Sequence, residues 1–223
     1  MIRIFRIFLL LLCGVTLHGC TSLQRAIYHK PTLEDSSIKK ARYADGIVFL
    51  AGDACIAVRE SVYSADYNNL FIGPLIFTVF PLGIFEPGRL PPSPDFWLLM
   101  EITPFNKEIT LHPAEIEVEF NDGTKAIPWK ANIDRSAWKL IKNTSSEVSI
   151  TNFRKFEFKF RKPTPESTVT HLRLKGLQNN GMVVPDISLS LITDYRFLLP
   201  GRFIDNSTPW NSEEPCIKLR AAK

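Results

Sequence analysis

Two short stretches of this chain alternate polar and apolar residues without a break. From Glu115 to Phe120, Ile116, Val118 and Phe120 oppose Glu115, Glu117 and Glu119. From Lys155 to Arg161, Phe156, Phe158 and Phe160 oppose Lys155, Glu157, Lys159 and Arg161. A repeat of two residues is that of a half-buried strand, so each stretch predicts a strand with one face in a core. Asn121-Asp122-Gly123 closes the first with hairpin chemistry, because Asp-Gly supplies the positive φ that tight turns need. Further strands are expected at Phe96–Thr103, a compact apolar run, and at Ile187–Ile192, before which Pro185 makes the approach irregular or the strand an edge. Thr168–Leu177 is another, with Val169 in one phase and Leu172 and Leu174 in the next. Asn179-Asn180-Gly181 offers a second turn. The apolar run from Gly46 to Ser61 has room for one or two buried strands.

Short strands separated by turn signals, with little helical periodicity, predict a mainly β chain built as an antiparallel β-sandwich. An immunoglobulin-like arrangement is the nearest architecture, without the cysteine and tryptophan spacing of antibody domains. The N-terminal and C-terminal segments are expected to be irregular. Residues 21–45 are polar and show no sustained period, and Leu140–Asn152 and Asp194–Lys223 read as loops or tails. Leu70–Phe85 carries no charge in sixteen residues, yet its Pro74, Pro81, Gly73 and Gly83 exclude a regular helix of that length. It is either chain bending around the core or an exposed loop that touches a membrane or a partner. Glu86–Asp95 (EPGRLPPSPD) is a Pro-rich connector and the best candidate boundary.

The first twenty residues have another logic. Arg3 and Arg6 precede an uncharged apolar run from Ile7 to Val15, the layout of a secretory signal and too short for a spanning helix. Its end, Leu17-His18-Gly19-Cys20, resembles the lipobox of bacterial lipoprotein precursors. His18 departs from the pattern, which favours a small or β-branched residue there. The resemblance covers the N-terminal tenth of the chain. It implies cleavage of residues 1–19, acylation of Cys20, and a polar tether over 20–45 carrying a β-rich periplasmic domain over 46–223. Thr21, where inner-membrane retention uses Asp, implies the outer membrane. Two or three acyl chains suffice for the anchor, at roughly 0.8 kcal/mol per buried methylene.

Charge and cysteines add two points. The formal net charge of +4 falls by two with Arg3 and Arg6, so nothing argues for nucleic acid as a partner. Cys13 leaves with the signal and Cys20 takes lipid. Cys55 and Cys216 remain, an even pair that predicts a disulfide in an oxidising compartment. Closing so long a loop would stabilise by about 4 to 5 kcal/mol on the chain-entropy model.

Candidate chemistry is thin. His29, in the polar tether, is expected to be solvated, and His112 and His171 lie in unrelated contexts. No zinc-ligand spacing, nucleophile elbow, P-loop or dinucleotide fingerprint appears, so neither a metal nor a cofactor is expected. The Glu115, Glu117 and Glu119 row reads as a solvated strand face, set opposite Lys155 and Lys159 if the strands are neighbours. Lys155, Lys159, Arg161, Arg173 and Lys175 would form one basic face if their strands adjoin, suited to anionic headgroups or wall carboxylates. The expected function is a membrane-anchored, non-enzymatic accessory or interaction module of the cell envelope. Its partner would be an envelope protein, lipid or peptidoglycan. A periplasmic binding protein for a small hydrophobic or anionic ligand would instead show a deep apolar cavity lined from residues 70–103. A wall or lipid hydrolase would place His112 or His171 beside a buried carboxylate.

Overall fold

The structure is a computed structural model, described over residues 21–43, 46–61, 66–72, 93–134, 136–141, 147–198 and 212–222. Of residues 21–28, 43, 66–72 and 195–198 the backbone alone is described. The signal and lipobox, residues 73–92 of the apolar run and connector, and 199–211 of the tail lie outside the described residues. The chain divides into two compact units, the larger formed by Ile27–Ala65, Pro91–Asp194 and Asn206–Lys223. The smaller unit holds β5 (Asp66–Ile72) with the first residues of β1 (Thr21–Leu33) and the last of β17 (Ile187–Leu198).

The larger unit is a β-sandwich. Its seven-stranded sheet runs β11 (Lys139–Leu140), β10 (Lys130–Ile133), β13 (Arg154–Arg161), β6 (Asp95–Pro104), β4 (Ala54–Glu60), β3 (Gly46–Ala51), β2 (Lys40–Tyr43). A second sheet follows the order β1, β17, β14 (Val169–Leu174), β8 (Glu117–Phe120), β9 (Lys125–Ala126). A four-stranded sheet has the order β12 (Val148–Ile150), β7 (Ile109–Leu111), β15 (Leu177–Asn179), β16 (Met182–Val183). The pairings within the larger unit are antiparallel.

The core follows from the alternation. Phe156, Phe158 and Phe160 of β13 are fully buried, as are Val118 and Phe120 of β8. They meet Leu98, Met100 and Ile102 of β6, Ile56 and Val58 of β4, Leu172 and Leu174 of β14, and Ile109 and Leu111 of β7 in one apolar cluster. The change of phase within 168–177 has a physical cause: the register of β14 on β8 shifts between Val169 and His171, a bulge that returns Leu172 to the core. Gly46–Ser61 is a hairpin, β3 and β4, turned at Gly52 with φ +58°. Pro185 lies in the irregular segment before β17, and β17 is a central strand rather than an edge.

Three expectations fail. Residues 21–45 are not a structureless tether, for they supply β1 and β2. Their polarity hides a period of two in which His29, Pro31 and Leu33 are buried and Lys30 and Thr32 lean outward. The stretch 140–152 contains β12, and Ile150 is buried. The tail carries helix α1 (Glu213–Ala221).

Candidate functional site: an indole and cation face

One face of the seven-stranded sheet belongs to the core. On the other, pairing register sets side chains in rows across the strands. Leu140 lies opposite Lys130, Lys130 opposite Lys159, and Lys159 opposite Trp97. The ammonium of Lys159 sits over two indoles, 3.7 Å from the ring centre of Trp97 and 4.3 Å from that of Trp138. These rings meet edge to face at 5.4 Å. Two cations share the third indole: Lys130 Nζ is 4.3 Å and Arg161 Cζ 4.6 Å from the centre of Trp129. Trp129 Nε1 donates to Asp95 Oδ1 at 3.2 Å, which fixes the ring. Desolvation holds the Lys159 ammonium below the ordinary lysine range, helped by the like charge of Lys130 and opposed by Asp95 and Glu157. Each such cation–ring contact contributes about 0.5 to 2 kcal/mol, more as water is excluded.

The rest of this face is covered by α1. Val48, Cys55, Ala57 and Leu99 are buried beneath Cys216, with Leu219 packed alongside. Cys55 and Cys216 form a disulfide, with an S–S distance of 2.08 Å and a Cα separation of 5.7 Å. Glu101, fully buried, accepts the Ser212 N–H at 3.2 Å just before the helix and pairs with Lys155 Nζ at 2.8 Å. Glu213 and Glu214 lie in the first turn and Lys218 and Arg220 in the last, each complementing the helix dipole. Arg220 also lies 4.5 Å from the ring centre of Phe105 and donates to Asn106.

The five basic residues expected on one face are therefore divided. Lys155, Lys159 and Arg161 lie on β13, whereas Arg173 lies on β14 of another sheet and Lys175 follows that strand. Arg173 is occupied by Glu117 and Glu119 at 3.3 and 3.4 Å. The glutamate row thus faces Arg173, with Lys125 also on Glu117, and not Lys155 and Lys159. Lys155 is taken by Glu101. Only Lys159 and Arg161 reach the indole face. The other partners, Trp97, Trp129, Trp138 and Lys130, are new. Alternation placed Lys159 outward, but nothing local sets Lys130 and Trp97 opposite it; the register does. Cys20 lies outside the described residues.

The histidines are also placed. His29 is buried, contrary to its expected solvation, and its Nδ1 lies 3.0 Å from Glu60 Oε2, which also accepts the His29 N–H. This pair joins β1 to β4, and no local signal in the sequence pointed to it. His171 lies 3.6 Å from the half-exposed Glu34, and His112 lies 3.3 Å from Gln178. Neither stands beside a buried carboxylate. Among the described residues no group of three His, Cys, Asp or Glu could hold a metal ion, and no helix is long and apolar enough to cross a membrane. Phe96, Leu98, Met100 and Ile102 are packed core, and a shallow open depression of about 290 Å³ lies elsewhere, between Pro104–Glu108 and Thr151. The chain matches no protein-family model, no curated protein and no solved structure.

Proposed function

We propose that this chain is a lipid-anchored interaction module of the bacterial cell envelope, non-enzymatic and held at the outer membrane through Cys20. The observation that carries the interaction reading is the Lys159 ammonium held between Trp97 and Trp138 on the side of the sheet away from the core. Tryptophan and arginine in partly desolvated clusters dominate the energetics of protein interfaces. Here Trp97, Lys130, Lys159 and Arg161 lie on strands of the sheet, which hold contact groups more accurately than a loop does, and Trp129 and Trp138 directly precede β10 and β11. The anchoring part rests on Leu17-His18-Gly19-Cys20, and the Cys55–Cys216 bond suits an oxidising compartment.

Mass spectrometry of protein purified from membranes tests the anchor: residues 1–19 are gone and Cys20 carries acyl chains. An unmodified N-terminus beyond Cys20 overturns it. Photo-crosslinking in cells tests the module. A photoreactive residue replacing the exposed Leu140 gives discrete adducts, and the same residue at the equally exposed Met182 does not. Equal, diffuse labelling from both sites overturns the reading.

A further inference from the structure

Lys130 and Lys159 are directly opposed on neighbouring antiparallel strands. Like charges in that position are destabilising, and a local rule broken on a rigid scaffold is where function is expected. Several cations elsewhere in the unit have carboxylates: Lys155 has Glu101, Arg173 has Glu117 and Glu119, Lys125 has Glu117, and Lys107 has Asp53. Lys130, Lys159 and Arg161 instead lie on indoles and form no ion pair among the described residues. Asp95, opposite Arg161, has its Oδ1 engaged by Trp129, and Glu157 lies two residues before Lys159 on β13.

The spacing narrows the ligand. A single carboxylate could bridge the opposed Lys130 and Lys159. Arg161 lies two residues further along β13, a step of roughly 6.8 Å in an extended chain. Alternate side chains of an extended peptide repeat at the same step. Leu140, more than half exposed in the Lys130 row, offers an apolar contact beside the charges.

We infer that the face formed by Lys130, Lys159, Arg161 and Leu140 binds an extended segment of a partner protein in which Asp or Glu alternates with apolar residues. This rests on the reading of the chain as an interaction module and names the partner class. The indoles hold the cations in place before binding, so little side-chain freedom is lost in meeting the carboxylates.

The test uses the full chain in detergent and a short fluorescein-labelled peptide in which glutamate alternates with valine. Anisotropy gives the affinity and tryptophan emission reports the face. The expected result is saturable, salt-sensitive binding with a change in tryptophan emission, and none by the matching lysine–valine peptide. Lys130→Gln with Arg161→Gln weakens binding by about tenfold. Lys107→Gln with Lys125→Gln removes the same charge elsewhere and leaves binding unchanged. Circular dichroism confirms that both variants fold, and Lys159→Met, which keeps the stem between the indoles, also weakens binding. Equal loss in both double variants overturns the proposal, as does no preference for the acidic peptide. Binding of phosphatidylglycerol vesicles or polygalacturonate in place of the peptide overturns it too. Failure here with an acylated Cys20 and a Leu140 adduct removes the partner class alone, whereas missing acylation bears only on the anchor.

Discussion

Glu101 and Lys155 face one another across β6 and β13, Oε1 2.8 Å from Nζ, with the carboxylate fully shielded from solvent. The other carboxylate oxygen accepts the Ser212 N–H. One acid therefore ties a strand of the sheet to the start of the helix that covers it. Lys155→Met would leave that carboxylate buried without its cation, a loss of about 3 to 5 kcal/mol in urea unfolding. Adding Glu101→Gln to Lys155→Met should restore part of the stability, because the uncompensated charge is gone. A double variant no more stable than Lys155→Met would show that the cost arises elsewhere.

The Cys55–Cys216 bond closes a separation of 161 residues. Helix α1 itself brings little apolar surface to the sheet: Cys216 is buried and Leu219 half-buried, while Ile217 points to solvent. Cys216→Ser, compared with the oxidised chain, should cost about 4 to 5 kcal/mol on the chain-entropy model. Hydrogen exchange should show α1 losing protection before β13 or β6. Equal exposure of all three would mean that the bond holds the whole sandwich and not chiefly the helix.

The strands that bury one face were legible because alternation is local. Phe156, Phe158 and Phe160 announced β13 and its orientation, and the phase change after Val169 recorded a bulge. What stayed hidden depends on register. Lys130 and Lys159 are unremarkable lysines until β10 is set on β13, and the separation of Arg173 from Arg161 into different sheets has no local sign. β1 was missed because its buried positions include His29 and Pro31, which carry no apolar signature. The pairing of Cys55 with Cys216 was legible because, once Cys13 and Cys20 are read as parts of a signal and its lipobox, these two form an even pair.

Gly176 has φ +71°, and a Cβ there would lie 2.9 Å from His112 Cβ and 3.0 Å from Glu115 Cβ. These atoms are fixed close to the backbone and cannot swing away. Gly176→Ala should therefore cost about 2 to 3 kcal/mol, adding steric overlap to left-handed strain. Gly123, with φ +79° and nothing within 4 Å, is the control, and Gly123→Ala should cost about 1 kcal/mol. Equal losses in thermal or urea unfolding would mean that the turn at Gly176 relaxes to admit a methyl group.

Lys159 supplies a pH dependence whose sign is fixed by its environment. Desolvation lowers its folded pKa, so between that value and the unfolded one of about 10.4 the unfolded chain binds more protons. Stability should then rise with pH across this window, as folding ceases to require a charged ammonium between Trp97 and Trp138. Below the window the penalty for holding the ammonium there is fully present, although the indole faces offset part of it. Lys159→Met keeps the packing stem and removes the titration, so its unfolding free energy should lack this increment. The difference between the two proteins, followed by urea unfolding from neutral pH upward, isolates Lys159 from the other groups that titrate there. A difference that stays flat, or moves in favour of Lys159→Met as pH rises, would mean that the folded chain holds this proton as firmly as the unfolded one.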